Sequence, residues 1–188
     1  MDQRWRTVRS QSLLKDQWID LRAECCITPE GAEISPYYVL SYPDWVHVVA
    51  ITTSGNLVLV RQYRQAAGEM ILELPGGLVD PKDSSPENAA RRELEEETGF
   101  TAPIWKPVIS LYPNPATHTN RMHVFLASGA ECTRPQNLDA GECGLQVELL
   151  DIPAVLRGLR SGLFAHAAHA SAILLGLEAA GRVAFTAA

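Results

Sequence analysis

The stretch Arg92-Glu93-Leu94-Glu95-Glu96-Glu97-Thr98-Gly99-Phe100 crowds four acids into the end of a segment built to be a helix. That is the unfavourable end. A helix C-terminus carries partial negative charge, so each acid there costs a few tenths of a kcal/mol, up to about 1. Glu93 and Glu97, one turn apart, add about 0.2–0.5 kcal/mol of repulsion. A divalent cation reverses the sign of this cost, because hard cations seek carboxylate oxygens.

The helix is well specified. Ser85 is a good N-cap, and Pro86 then falls at the first helical position, where its missing N–H costs nothing. Ala89 through Leu94 are strong helix formers, and Gly99 suits the left-handed residue that ends a helix. At 100° per residue, Glu93, Glu96 and Glu97 share one sector about 100° wide. Glu95 points nearly opposite, as a solvated bystander. Arg92 stands one turn before Glu96 and can pair with it, while Ala90 and Leu94 mark the buried stripe. Just upstream, Gly76-Gly77-Leu78-Val79-Asp80 reads as a tight glycine loop.

Residues Gly77 to Phe100 resemble a Nudix box, whose pattern is G-x5-E-x7-R-E-U-x-E-E-x-G-U with U apolar. Arg92, Glu93, Leu94, Glu96, Glu97, Gly99 and Phe100 match its second half without a gap. The first half departs: fourteen residues separate Gly77 from Arg92 where the pattern has thirteen. Asp83 and Ser84 straddle the position of its mid-loop acid, and this reads as a one-residue loop insertion. Val58-Leu59-Val60-Arg61-Gln62-Tyr63-Arg64, then Leu72-Glu73-Leu74-Pro75-Gly76-Gly77, resemble the nucleoside-diphosphate-sugar branch typified by ADP-ribose pyrophosphatases. Pro115, sixteen positions after Gly99, agrees with that branch. The resemblance covers about residues 5–180.

It implies an α/β fold, a Nudix-type α/β/α sandwich with a mixed β-sheet and an N-terminal antiparallel strand unit. Residues 1–45 form that strand unit, part of the same domain, which packs on a partner subunit and helps bind the base. Residues 46–188 form the hydrolase domain. Among the aromatics of the first part, Trp45 is the one weighed as a base or dimer contact; the others read as core.

Composition agrees with one soluble domain. A chain of 188 residues supports one substantial core. A net charge of −6 argues against a broad nucleic-acid surface, and it means that an anionic substrate needs local positive charge or metal. No apolar run reaches a membrane span, and Met1-Asp2-Gln3-Arg4-Trp5 lacks the apolar core of a signal peptide. Cys25, Cys26, Cys132 and Cys143 show no C-x-x-C spacing and read as reduced thiols of a cytoplasmic protein.

Strand-like runs fall at 5–10, 17–27, 35–41, 45–53, 56–63, 106–111, 121–127 and 145–150. Hairpin turns are expected at Pro29-Glu30-Gly31 and Ser54-Gly55-Asn56, and helices at 153–160 and 166–180. The tail at 185–188 is expected to be loose.

By resemblance, Glu93 and Glu97 are the primary metal ligands, Glu96 is a ligand or an acid behind them, and the Gly76 carbonyl is a further ligand. The ion is Mg²⁺, with Mn²⁺ as the other candidate. Arg92 orients one acid of the cluster. Arg64, and less firmly Arg61, would clamp pyrophosphate, or else serve as strand-end cations paired with an acid such as Glu69 or Glu73. Glu142, the one Glu in the loop from Pro135 to Gly144, is the candidate general base. His118, on a polar loop suited to the terminal ribose, is the runner-up; His47, His123, His166 and His169 read as structural.

Three functions stay open: a diphosphatase of ADP-ribose or a related nucleoside diphosphate sugar, the same chemistry on a dinucleoside polyphosphate, NADH or GDP-mannose, and a non-catalytic nucleotide sensor. The expected partners are a nucleotide-sugar small molecule and a second copy in a homodimer, with neither nucleic acid nor membrane.

Overall fold

The structure, a computed structural model, describes residues 2–186. The expected loose tail therefore lies partly outside the described residues, at Ala187 and Ala188. The chain divides into two compact units. One runs to Pro43 and also takes in Tyr112–Arg121; the other comprises Asp44–Leu111 and the chain from Met122 onward.

In the first unit, β1 (Arg6–Lys15), β2 (Asp20–Ile27) and β3 (Glu33–Ser41) form an antiparallel sheet in that order. The hairpin expected at Pro29-Glu30-Gly31 closes through Thr28 N–H to Ala32 O at 2.9 Å. β1 is longer than its sequence suggests. Ser10–Lys15 is exposed throughout and shows no alternation of apolar and polar residues, and only pairing with β2 makes it a strand. The segment Tyr112–Arg121 is strapped to β3. Leu40 N–H donates to Thr117 O at 2.8 Å, Thr119 N–H to Leu40 O at 3.1 Å, and the Tyr37 hydroxyl to Ala116 O at 2.5 Å. The sequence gives no local sign of this return, because hydrogen bonds to a distant strand leave no periodicity.

The second unit is built on a seven-stranded mixed sheet. Its main path is β10 (Gln146–Asp151), β5 (Asn56–Arg64), β4 (Trp45–Thr52), β9 (Met122–Cys132) and β7 (Phe100–Thr101). The strand β6 (Glu69–Glu73) adds to β5, and β8 (Ile104–Leu111) to β9. β4 and β9 run parallel, and the other paired strands antiparallel. β4 is apolar on both faces because both are covered. Val46, Val48 and Ala50 pack on α1 (Pro86–Thr98) through Ala89, Ala90 and Leu94. Val49 and Ile51 pack with Val155 of α2 (Ile152–Ser161) and Ile173 and Leu177 of α3 (Ala167–Ala179). Helices on both faces of a mixed sheet give the expected α/β/α sandwich. Each fully buried Val or Leu contributes about 1.5–3 kcal/mol.

The hairpin between β4 and β5 turns at Gly55, as expected, and Thr52 Oγ1 accepts from Asn56 N–H at 3.0 Å. β6 went unrecognised as a strand, since five residues cannot show a period and their pairing is with β5.

Helix α1 starts and stops as its sequence dictates. The Ser85 hydroxyl accepts from Asn88 N–H at 3.2 Å, Pro86 opens the helix, and Gly99 closes it in the left-handed region at φ 74°. The carbonyls at its end find donors in the chain after β9. Asn137 N–H reaches Glu96 O at 2.8 Å, Gln136 Nε2 reaches Glu97 O at 2.6 Å, and Thr133 and Arg134 N–H reach Gly99 O at 2.9 and 3.2 Å. A Cβ on Gly99 would lie 2.0 Å from Arg134 O. Gly99→Ala should therefore lose more than the ~1–2 kcal/mol of a left-handed residue, read as a lower urea midpoint with an unchanged slope.

Candidate active site

The acids of α1 divide by partner. Glu93 and Glu97 are buried on the face that meets β4, beside the glycine loop. Glu97 Oε2 accepts from Gly76 N–H at 2.8 Å. The absence of a side chain on Gly77 leaves room for the Glu93 carboxylate, since a Cβ there would stand 2.6 Å from Glu93 Oε1 unless that carboxylate moved. Burial pushes the Glu93 carboxyl up to about 7, against the opposing pull of Arg92. Burial also pushes Glu97 well above the ordinary carboxylate range; the Gly76 N–H opposes this, while the charges of Glu93 and Glu142 reinforce it.

Arg92 is the hub of the cluster. Its Nη1 donates to Glu93 Oε1 at 2.9 Å and to Glu96 Oε2 at 3.0 Å. Its Nε and Nη2 fork onto Asp83 at 3.2 and 3.0 Å, and Nη2 also reaches Leu78 O at 3.1 Å. The pairing of Arg92 with Glu96 expected from their spacing is present. Asp83, flanking the gap left by the absent mid-loop acid, meets Arg92 with its side chain 9% exposed. This hydrogen bond holds the Asp83 carboxyl below its usual range. The loop itself turns through Asp80 N–H to Asp83 Oδ2 at 2.9 Å. Glu95 is not the solvated bystander expected of it, because Arg134 from the chain after β9 pairs with it.

Glu142 joins the two buried acids. It ends a single 3-10 turn, Ala140–Glu142, and its Oε2 accepts from Asp139 N–H at 2.9 Å. Ligand oxygens of Glu93, Glu97 and Glu142 lie within 4.8 Å of one another. Three carboxylates at that spacing, two of them buried, suit a hard divalent cation. Glu96, spent on Arg92, stands outside this trio.

Arg64 ends β5, and it binds Glu73 of the paired β6 through Nε at 2.9 Å and Nη2 at 2.6 Å. This is the acid pairing foreseen as the alternative to a pyrophosphate clamp. Glu73 is fully buried, and His166 and His169 from the start of α3 also face it. Among the described residues, Glu73, His166 and His169 are the second group spaced like metal ligands. Hydrogen bonding argues against that use. His169 Nδ1 accepts from Leu74 N–H at 3.0 Å, so its Nε2 carries the proton and has no lone pair to offer. His47 packs its ring 4.0 Å from His169, and burial drives it down to about 4, hence neutral. The sequence reads these histidines as structural, and the structure supplies the acid that His166 and His169 share. The signal was available in the i,i+3 spacing of His166 and His169.

The remaining candidates have partners of their own. Arg61 pairs with Glu148 across β5 and β10. Trp45 opens β4, half-buried, and bridges to Leu78. His118 belongs to the first unit, where its ring meets Tyr42 at 5.2 Å.

Comparison with known proteins agrees with this geometry. The NUDIX domain model matches residues 42–161, and the nucleoside diphosphate sugar hydrolase N-terminal domain matches residues 5–40. The chain is 34% identical over 122 residues, 65% of each protein, to an ADP-ribose pyrophosphatase of Bacillus subtilis (strain 168). It is 32% identical over 133 residues to an ADP-ribose pyrophosphatase of Mycobacterium tuberculosis (strain ATCC 25618 / H37Rv), covering 70% of this chain and 64% of that one. These matches span just under two thirds of the relatives' own lengths. A crystal structure of an ADP compounds hydrolase superposes with a TM-score of 0.81 at 24% identity, covering 96% of this chain and 98% of that one, and so shares the fold. With an acid-bearing helix that matches the box and a family model that spans most of its length, the chain belongs to the NUDIX family.

Proposed function

We propose that this protein is a metal-dependent pyrophosphohydrolase that cleaves ADP-ribose, or a related nucleoside diphosphate sugar, to AMP or the matching monophosphate and a sugar phosphate. The observation that carries this reading is the convergence of Glu93, Glu97 and Glu142, in which burial makes the first two carboxylates costly without a cation and the third lies beside them. The names of the relatives support the substrate class.

In this reading Glu93 and Glu97, with the Gly76 carbonyl, hold the Mg²⁺ or Mn²⁺, and Arg92 fixes Glu93 and Glu96 behind it. The bound ion supplies neutralisation of phosphate charge and a more acidic water. Glu142 takes the proton of the attacking water, a role supported by its place beside both ligands. Arg64 contacts the pyrophosphate, supported by the pull of its charge on Glu97. Arg61 assists from its pairing with Glu148, Trp45 contacts the base, and His118 is the second candidate for the base catalyst. A homodimer through the N-terminal strand unit fits β1, whose ten residues are all exposed, Val8, Leu13 and Leu14 among them. Four free cysteines suit a cytoplasmic setting. Among the described residues, no helix is long and apolar enough to cross a membrane.

Products should be identified with Mg²⁺ on ADP-ribose, GDP-mannose, NADH and diadenosine tetraphosphate, each with and without chelator. Chelator-sensitive AMP release from ADP-ribose, well above the other three, is the expected result. Preferred cleavage of another compound replaces the substrate, and no turnover on any of them turns the reading to a nucleotide sensor.

Glu97→Gln should lower kcat by about 10³-fold or more, as for loss of a group that acts on transition-state charge, with the fold intact. Near-normal turnover would remove Glu97 as a ligand. Glu142→Gln should lower kcat about 10²–10⁴-fold; an intact rate would shift the base to His118.

Stability should depend on pH and metal together. Between the ordinary carboxylate value of 4.5 and about 7, Glu93 is protonated when folded and ionised when unfolded. The folded state therefore binds more protons, and metal-free stability falls as pH rises through that window, by up to about 1.4 kcal/mol per pH unit for each such group. Buried His47, held neutral and down to about 4 when folded, acts in the opposite direction below its ordinary value of 6.5, so the decline is read as a difference. In thermal melts in chelator from pH 5 to 7, wild-type stability should fall relative to Glu93→Gln as pH rises, and Mg²⁺ should reverse this most at the upper end. A difference that stays constant with pH would show that Glu93 is not held protonated.

A further inference from the structure

We propose that Glu73, braced by His166 and His169, is a positioning residue that presents Arg64 to the pyrophosphate. This rests on the reading of Arg64 as a pyrophosphate contact.

Glu73 is 1% exposed, and a buried carboxylate needs donors on both oxygens. All of them come from three side chains. Oε2 accepts Nε and Nη2 of Arg64 at 2.9 and 2.6 Å. Oε1 accepts the His166 Nδ1–H at 3.0 Å and faces the His169 Nε2–H at 3.7 Å. The His169 proton stands on that side because Leu74 N–H occupies its Nδ1. Burial alone would raise the Glu73 carboxyl, but the His166 and Arg64 hydrogen bonds outweigh it and keep the group ionised.

A chain of fixed groups thus runs from the Leu74 backbone, just past β6, through His169 and Glu73 to Arg64. It takes hold of one edge of the guanidinium. The other amine, Nη1, has no hydrogen-bond partner among the described residues, and the side chain is 43% exposed. The Arg64 charge is felt at Glu97, so the guanidinium belongs to the neighbourhood of that acid. An unbraced Arg would lose its rotamer freedom when substrate binds; a braced one has lost it on folding. A purely structural ion pair would affect stability and leave substrate affinity untouched.

The test is a double-mutant cycle in the full chain, with His166→Ala, Arg64→Ala and the pair, plus His166→Gln. KM and kcat are measured at saturating Mg²⁺ on the best substrate of the panel, and ADP-ribose dissociation constants by calorimetry. Melts verify folding, which the partial exposure of His166 favours. His166→Ala should raise KM and Kd about three- to tenfold, the scale of one hydrogen bond, with kcat within about twofold. The double variant should bind no worse than Arg64→Ala alone, and His166→Gln, which keeps a donor, should recover most of the loss. Unchanged affinity in His166→Ala, or losses that multiply in the double variant, would overturn the proposal. Unchanged affinity in Arg64→Ala overturns it as well, while metal-dependent cleavage by that variant would leave the proposed hydrolysis standing. If no panel member is turned over, the calorimetric cycle alone decides.

Discussion

Negative charge held away from water at the C-terminal end of α1 is the constraint to which its surroundings answer. Glu93 and Glu97 lie against the sheet at the end of a helix whose own dipole disfavours them. Gly77 lacks a side chain so that Glu93 fits, and Gly76 turns its N–H toward Glu97. Arg92 spreads one positive charge over Asp83, Glu93 and Glu96. The chain after β9 covers the exposed carbonyls of the last turn with N–H donors, which removes part of the same unfavourable field. That chain then delivers Glu142 to the two acids, so the element that stabilises the helix end also completes the trio.

Two buried acids of this unit show how donors decide the state of a carboxylate. Glu73 has side-chain donors for both oxygens and is held below the ordinary range. Glu97 has one backbone N–H and two acidic neighbours, and is pushed well above it. The residue type and the burial are alike; the difference is the count of hydrogen bonds and the sign of nearby charge. Glu73 is complete within the protein. Glu97 is incomplete, and under the proposed function a divalent cation completes it.

Much of this was legible because it is local. Caps, apolar stripe and acid sector of α1 depend on residues within a turn or two, and the helix runs from Pro86 to Thr98 with Ser85 and Gly99 as its caps. The strand β4 and its turn at Gly55 are equally local, one a run of β-branched residues and the other a glycine at positive φ. Other features hid because their partners lie far along the chain. β6 is a strand by virtue of β5, and the second half of β1 by virtue of β2. Glu95 was read as solvated because Arg134, thirty-nine residues on, is not a helical neighbour.

The sequence by itself determined the acid helix, its caps, the glycine loop beside it and the alternation of strands and helices that makes a sandwich, since these follow from nearest-neighbour periodicity and backbone preference. Only the tertiary structure decided which acids meet. It set Asp83 on Arg92, withdrew Glu96 from the trio, brought Glu142 in from a loop after β9, and tied Arg64 to Glu73 under two histidines of α3. The physical reason is that a carboxylate's role is set by the donors and charges within a few ångströms of it, and long-range chain return puts them there.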